Sequence, residues 1–567
     1  MPSRLEMWER LEGEFDVLVV GGGINGCGIA RDAALRGLRV ALVEMHDFAF
    51  GTSSRSSKLV HGGLRYLEQY EFSLVFEAVS ERRILMDIAP HLVHPLGFLF
   101  PVYKGSRQPL WLLNAGMWLY DGLSLFRSPK MHRKLDRKQV EQVEPALRTD
   151  DLRGAPLYYD CSTDDARLTL ENAMDAARVG AVVCSHTKVV SFLKDESGRL
   201  VGAVVEDAET GALKQVKAPA VVNATGPWTE RTVAMSNPSV GGARLRPTKG
   251  VHIVVDRARL PVTNVVVCVH PVDGRVLFAI PWGDRTYIGT TDTDDEVDPA
   301  EVHATAADVV YLLDAANAYF PAQQLTTDDV LSTWAGLRPL MRPSEETEGV
   351  NESAVSREHQ ILVGQDGLIT IAGGKLTTYR RMSAEVVDTV VKLLRLSNRL
   401  PRRLRPANTD REPLPGAVGW PEDDQVDRLV ARVLEAGGEG LPLDVATYLV
   451  GVYGTRALDV ARLVQAQPEL GQRLVPGRPE ILAQVDWAVR EEMAADVADL
   501  MVRRTQLFFR DRDQGLGAVE VVADRMGTLL GWEPSRKQGA AEAYRQVVAR
   551  ARAWRSELSA EAMTTPA

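Results

Sequence analysis

Asp16 to Gly37 reads DVLVVGGGINGCGIARDAALRG, and the fold of the chain turns on this stretch. Asp16–Val20 is short, apolar and β-branched, the composition of a strand buried on both faces. A glycine-rich turn follows and runs into a helical stretch that ends at Gly37. Leu38–Glu44 (LRVALVE) then reads as a second buried strand. Strand, turn, helix and strand make a βαβ unit with glycines in its first turn. Gly21, Gly23 and Gly26 have the G-x-G-x-x-G spacing, and here the pattern follows a strand and opens a helix, which gives it weight. Gly21 permits the tight turn, Gly23 lets the backbone approach a pyrophosphate, and Gly26 lets helix pack on strand. Amides of the first helical turn, Ile24 and Asn25 among them, combine with the positive end of the helix to suit a diphosphate.

Glu44 closes the second strand, where a carboxylate binds both ribose hydroxyls of an adenosine and disfavours a 2′-phosphate. The fingerprint leaves NAD and FAD open. Two later segments decide between them. Val221–Trp228 (VVNATGPW) is a buried strand ending in Ala224-Thr-Gly226, where a second stretch of backbone can pass close to a dinucleotide. Ile371–Arg380 (IAGGKLTTYR) is a strand, a Gly pair and another helix start. A flavin held at that second helix end, around Gly374, Leu376 and Thr377, would have negative charge on its reduced ring stabilised. Three such segments over some 350 residues fit a long, buried FAD better than an exchangeable NAD.

The remaining composition bounds the answer. A chain of 567 residues, 45% hydrophobic and 25% charged, is folded and has room for two or three domains. A net charge of −10 argues against a broad nucleic-acid surface. Cys27, Cys161, Cys184 and Cys268 are widely spaced, so neither a disulfide framework nor a zinc site is expected and a reducing, cytoplasmic setting is the default.

Leu168–Val179 reads as a helix; Ala181–Val190, Val201–Glu206, Val216–Asn223 and Val251–Val255 read as strands. Val276–Ile280 and Thr286–Thr290 flank a Trp-Gly-Asp-Arg turn as an antiparallel hairpin. In the helix after Ile371, Leu376, Tyr379, Ser383, Val386, Val387, Val390 and Leu394 trace one face. Five prolines between Pro401 and Pro421 mark an inter-domain linker over residues 401–424. Beyond it the period is helical throughout, including 426–435, 457–465, 480–492, 495–509 and 538–558, so residues 425–567 form an all-α domain.

No run is long and apolar enough to span a membrane. Leu110–Phe126 (LWLLNAGMWLYDGLSLF) comes nearest, but it carries Asn114 and Asp121. It reads either as a buried helix or as a segment lying on a bilayer. Pro129–Lys138 (PKMHRKLDRK), with five Lys or Arg against one Asp, supports the second reading, since an aromatic helix beside a basic cluster suits an anionic surface.

Thr52–Glu68 (TSSRSSKLVHGGLRYLE), taken with the glycine-rich unit, NATGPW, GLRPL and GGKLTTYR, resembles the FAD-dependent glycerol-3-phosphate dehydrogenase family. The likeness runs from about Phe15 to Leu396 and continues through the Arg503-Arg504-Thr505 stretch of the tail. It implies an α/β fold: a Rossmann-like FAD-binding unit over residues 1–400, with segments at about 15–100, 150–235 and 345–400. Substrate-domain segments at about 100–150 and 235–345 are inserted as a mixed sheet. It also implies oxidation of sn-glycerol 3-phosphate to dihydroxyacetone phosphate and electrons passed to membrane quinone. No histidine lies in a pattern that would tether a flavin, so the FAD is expected to be noncovalent. The expected location is the inner face of the cell membrane, held peripherally, and a homodimer is left open.

The resemblance also implies site residues. Thr52, Ser56, Ser57, Lys58 and Leu59 belong to the loop wrapping the flavin side of the cofactor. Arg65, Arg338 and Arg357 match phosphate-side arginines, a role guanidinium groups fill by bidentate bonding. Tyr66 is placed on a substrate oxygen. His252, in KGVHIVV, is the first candidate for proton acceptor, since its ordinary pKa suits reversible transfer near neutrality; it shares a strand face with Val254. Arg338 and Lys375 compete with it, as cations that could stabilise an alkoxide. The runner-up activity is a glycerol-3-phosphate oxidase that makes hydrogen peroxide, followed by a flavin-bearing membrane-associated regulator without turnover. Asp292, Asp294 and Asp295 lack a metal-loop pattern and are expected to be solvated carboxylates.

Overall fold

The computed structural model describes residues 2–63, 71–124, 129–237, 245–295, 297–341, 359–400, 403–422 and 425–558. The expectations for Arg65, Tyr66 and Arg357 therefore lie outside the described residues.

The glycine-rich unit folds as its sequence indicates. Val17–Val20 is the strand, Ile24–Arg36 the helix and Val40–Val43 the second strand, paired in parallel with the first. They belong to a six-stranded sheet ordered Gln360–Val363, Ile369–Ala372, Ala220–Asn223, Val17–Val20, Val40–Val43, Val182–Cys184. Only the edge strand Gln360–Val363 runs antiparallel to its neighbour. After Val17–Val20 the chain builds outward on one side, then returns to the other side at Ala220. That reversal opens a crevice at the carboxyl ends of Val17–Val20 and Ala220–Asn223, where doubly wound sheets take ligands. Ile24–Arg36 packs between the helices Asp165–Arg178 and Tyr379–Leu396. A Cβ on Gly28 would sit 2.5 Å from Ser383 Oγ, and the buried Arg31 Nε meets Asp175 Oδ2 at 2.6 Å.

A second sheet is built on two long antiparallel strands, Leu245–Asp256 and Val330–Met341, with His252 opposite Trp334 and Thr248 opposite Arg338. On its other edge Leu245–Asp256 pairs with Arg285–Gly289, placing His252 opposite Gly289. The expected hairpin is present, Val276–Trp282 returning through Gly283 and Asp284 into Arg285–Gly289. The alternation of Leu245–Asp256 sends Val251, Ile253 and Val255 into a core under helix Ala306–Tyr319. His252 and Val254 take the opposite face. There Val254, Tyr287 and Trp334 join a core with Leu507 and Phe509 of the helical C-terminal domain.

Several boundaries differ from the sequence reading. Val216–Asn223 is two strands: Leu213–Lys217 belongs to a three-stranded antiparallel sheet and Ala220–Asn223 to the central one. The break falls at Pro219, which has no N–H for a ladder. Ala181–Val190 is likewise split, with His186 in the left-handed region at φ +51°. The stretch 495–509 is not one helix; a π-helical turn, Asp499–Arg504, gives way to a short helix, Leu507–Arg510, across Gln506 at φ +60°.

Leu110–Leu123 is a helix, and it is not buried. Met117, Tyr120 and Asp121 face inward, while Trp111 is 69% and Trp118 57% exposed, with Leu112 and Leu119 beside them. Among the described residues no helix is long and apolar enough to cross a membrane.

Candidate active site

The glycine loop is sealed by two other parts of the chain. Gly21 holds φ +107°, and a Cβ there would lie 2.6 Å from the carbonyl oxygen of Ala224. The Ala224 N–H donates to the Val20 carbonyl at 2.9 Å, so the Ala224–Gly226 segment lies directly against the turn. A Cβ on Gly26 would overlap the Gly21 carbonyl. The Ile24 N–H donates to Ser53 Oγ at 2.9 Å, placing the Thr52–Ser54 turn over the helix start. Glu44 Oε2 accepts from the Gly22 N–H at 2.6 Å and Oε1 from the His46 N–H at 2.9 Å. Burial pushes its carboxyl up, against those two amides. A helix N-terminus without side-chain cap, a turn that only glycine can make and an adjacent carboxylate fit the diphosphate and ribose of FAD.

On the far side of the crevice Gly373 and Gly374, both at positive φ, lead into Leu376–Thr378 and the helix Tyr379–Leu396. Thr377 Oγ1 accepts from the His61 N–H (3.2 Å) and donates to the His61 carbonyl (3.3 Å). Leu376 packs beside a cluster containing Ile24, Val60 and Tyr379. Lys375 caps the short turn and lines a cavity of about 240 Å³ with Glu77, His359, Thr378 and Arg381.

Between these walls runs the Thr52–Leu59 loop, whose polar groups are largely spent inside the protein. Thr52 Oγ1 donates to the Leu337 carbonyl at 2.6 Å. The Ser56 N–H and hydroxyl both donate to Asp165 Oδ2, at 3.0 and 2.7 Å. Lys58 Nζ is buried against Asp165 Oδ1 at 2.6 Å. The loop is gripped from above as well. Trp334 Nε1–H donates to the Ser56 carbonyl at 3.2 Å, and the Tyr287 hydroxyl donates to the Ser57 carbonyl at 2.8 Å.

His252 is 2% exposed and its Nε2 lies 2.9 Å from Ser57 Oγ. Its ring stacks on Trp334, centroids 4.6 Å apart. Burial, then the charges of Arg338 and Lys58, hold its pKa well below the ordinary histidine value, so the imidazole is neutral at physiological pH. Arg338, four residues beyond Trp334, pairs with Asp292 and donates to Thr290 Oγ1 at 3.3 Å. Since Gly289 is the register partner of His252, the Gly289–Thr290 corner sits beside both side chains. A Cβ at Gly289 would overlap the imidazole, and one at Gly250 would meet Arg338 Nη2 at 3.1 Å.

The expectation of solvated carboxylates holds for the exposed Asp294 and is corrected for Asp292 and Asp295, which are mostly shielded. Asp292 orients Arg338, Asp294 pairs with Arg246 at 2.7 Å, and Asp295 lies 3.4 Å from Lys249. The strand pairing of Leu245–Asp256 with Val330–Met341 brings these bases alongside, which no local pattern announces.

Asp165 and Trp334 carry no local sequence signal of the places they take in this site. Asp165 begins a helix behind its N-cap Asp164 and resembles any first-turn acid. Trp334 was hidden inside a strand. Asp47, His186 and Asp499 each bring a ligand atom within 4.8 Å of the others. Asp47 is nonetheless taken by both Arg503 and Arg504, and His186 by Asp499 at 3.0 Å, so the grouping is an ion-pair joint between the sheet and the helical domain.

Comparison with known proteins agrees with this layout. A family described as FAD dependent oxidoreductase matches residues 16–380, and one described as the C-terminal domain of alpha-glycerophosphate oxidase matches 407–537. The chain is 40% identical over 533 residues to a Mycobacterium tuberculosis protein named glycerol-3-phosphate dehydrogenase 2, covering 94% of this chain and 87% of the relative. It is 37% identical over 538 residues to the aerobic glycerol-3-phosphate dehydrogenase of Staphylococcus aureus, covering 94% of each. The crystal structure of a Bacillus halodurans glycerol-3-phosphate dehydrogenase complexed with FAD superposes with a TM-score of 0.79 at 34% identity, over 97% of this chain and 98% of that one.

Proposed function

Because the chain belongs to the FAD-dependent glycerol-3-phosphate dehydrogenase family, we propose that it oxidises sn-glycerol 3-phosphate to dihydroxyacetone phosphate and passes the electrons to a membrane quinone. The observation that carries this reading is the meeting of a neutral, buried imidazole with a carboxylate-oriented guanidinium at one corner, His252 and Arg338 beside Gly289–Thr290.

Bound FAD supplies the hydride acceptor. The chain supplies the rest. Arg338, its Nη1 held by Asp292 and its Nη2 by Thr290, brings a fixed positive charge to the substrate phosphate, with Arg65 and Arg357 proposed to share that role. His252 receives the proton of the C2 hydroxyl through Ser57 Oγ, 2.9 Å from Nε2: the Ser57 hydroxyl passes its proton to Nε2 as it takes the substrate's. Lys375, at the start of the second helix end, orients substrate and flavin from the opposite wall. Tyr66 is proposed to bond a substrate oxygen.

The quinone and membrane parts rest on one surface. Trp111, Leu112, Trp118 and Leu119 form an exposed apolar stripe on helix Leu110–Leu123. His132 Nδ1 lies 2.7 Å from Asp121, and the Trp118 ring is edge-on to His132 at 4.8 Å. His132 thereby ties the basic run Lys130–Lys138 to the same helix, and we read the exposed aromatic stripe and this neighbouring basic run together as suited to anionic lipid. A peripheral position on the inner face of the cell membrane follows from this reading.

Anaerobic addition of glycerol 3-phosphate to the yellow protein should bleach the flavin, and a water-soluble quinone should restore its colour. A rapid peroxide burst in air without quinone would instead assign the oxidase reaction. No bleaching at all would overturn the activity.

A further inference from the structure

Lys58 occupies an unusual position. A lysine at φ +51° is held in the left-handed region, which side chains avoid, and its ammonium is buried. Its Nζ donates to Asp165 Oδ1 at 2.6 Å and to the Ser54 carbonyl at 3.2 Å. Three rings enclose it: Phe509 at 5.3 Å, Trp334 at 5.5 Å and Trp282 at 6.0 Å from Nζ to centroid. Two walls of this box belong to the substrate sheet. The third, Phe509, comes from the helical C-terminal domain and is anchored there: the Ser332 hydroxyl donates to its carbonyl at 2.6 Å, and Arg285 Nε to the carbonyl of Arg510 at 2.9 Å.

The box backs directly onto the imidazole assigned as proton acceptor. Trp334 is a wall of the box on one side and the stacking partner of His252 on the other. Ser57, next in sequence to Lys58, holds His252 Nε2. The geometry points to Lys58, boxed by Trp282, Trp334 and Phe509 and held by Asp165, as the positioning residue that keeps His252 neutral and aligned, with the C-terminal domain closing the box. This inference rests on His252 being the proton acceptor.

The physical reason is dielectric. An ammonium in water would be screened at this range, whereas one walled by aromatic rings and shut off from water acts through a medium of low dielectric constant. Its field then opposes a second positive charge on the imidazole. The other charged or titratable groups facing His252 are Arg338 with Asp292 on the neighbouring strand and turn, Asp165 behind Lys58, and Tyr287 on strand Arg285–Gly289. On its own strand, Lys249 is tied to Asp308 at 3.0 Å and to Asp295. Burial and Arg338 act in the same sense as Lys58, so removing Lys58 should move the titration of His252 without abolishing the site.

The test is anaerobic stopped-flow reduction of the FAD-loaded, full-length protein by glycerol 3-phosphate, from about pH 5 to 8. In Lys58→Met the acid limb of the limiting rate should move up by about one pH unit while half-saturation by substrate stays within about twofold. Lys58→Arg should restore the wild-type limb. Because Lys58→Met strands Asp165, Phe509→Leu serves as a second variant that keeps the ion pair and admits water; it should move the limb in the same direction by less. Limbs superimposable on wild type in both variants would overturn the inference, as would rate lost only in step with weakened substrate binding. His252→Asn separates the premise from the inference. A slow variant lacking the acid limb keeps His252 as acceptor, whereas wild-type reduction by His252→Asn removes the acceptor and this inference with it.

Discussion

The imidazole of His252 lies flat on the indole of Trp334, planes 11° from parallel, across a strand pair in which the two residues are direct register partners. The stack fixes the plane of the ring, and the bond to Ser57 sets which nitrogen, Nε2, faces that hydroxyl. His252→Ala should therefore lower the flavin reduction rate by roughly 10²- to 10⁴-fold, the usual worth of a positioned base, with little change in substrate binding. Rapid-mixing traces at saturating substrate measure this directly.

Arg338→Ala removes a guanidinium already aimed by Asp292. The expected result is a KM for glycerol 3-phosphate raised roughly 10- to 100-fold, from the loss of charge-assisted bonds worth about 1.5–3 kcal/mol, with FAD content unchanged. Arg338→Lys should recover only part, because an ammonium cannot bond two oxygens in a fork. Steady-state kinetics beside the visible flavin spectrum separates the two effects.

Gly26→Ala would drive a methyl group into the Gly21 carbonyl. Turn and helix cannot both keep their places, so the variant should purify with little flavin. The ratio of visible to ultraviolet absorbance reads the loss, and stoichiometric FAD in Gly26→Ala would remove this turn from the cofactor site.

Glu171 makes the acid limit of stability testable. Burial works to raise its pKa, but His91, Arg167 and the Gly416 amide outweigh it and bring the carboxyl down to about 2. A carboxyl lowered on folding stabilises the native state above its unfolded value and loses that contribution as pH falls through its folded one. The loss should run from about pH 4.5 toward 2. Glu171→Gln should be less stable at neutral pH and show a flatter decline over that window in thermal melts.

Trp111→Ser with Trp118→Ser should weaken binding to anionic vesicles by at least about tenfold, given the apolar area withdrawn, while flavin reduction in solution stays normal. Raised salt should weaken the wild type through the Lys130–Lys138 run. Sedimentation with vesicles of mixed anionic and neutral lipid reports both, and equal binding by the double variant would place the contact elsewhere.

What was legible in the sequence was local. The turn at Gly21–Gly26 and the hairpin at Gly283–Asp284 are written in consecutive residues, because glycine spacing and strand alternation act over a few positions. The pairs that arm the site span long separations: Arg338 with Asp292 across a strand pair, Lys58 with Asp165 across a whole segment, Arg503 and Arg504 with Asp47 across most of the chain. Ion pairs of that kind leave no periodic trace. Pro219 could have been read as a strand break, since proline lacks the donor a central strand needs.

The two arginines on Asp47 have a consequence for how the chain comes apart. Asp47 follows Glu44 by three residues and is fully buried, so withdrawing the helical domain would strand a carboxylate beside the cofactor cradle and two guanidiniums opposite it. A protease cut between Arg405 and Ala407, where the chain is exposed, should therefore yield two fragments that migrate as one particle and release flavin only when they part.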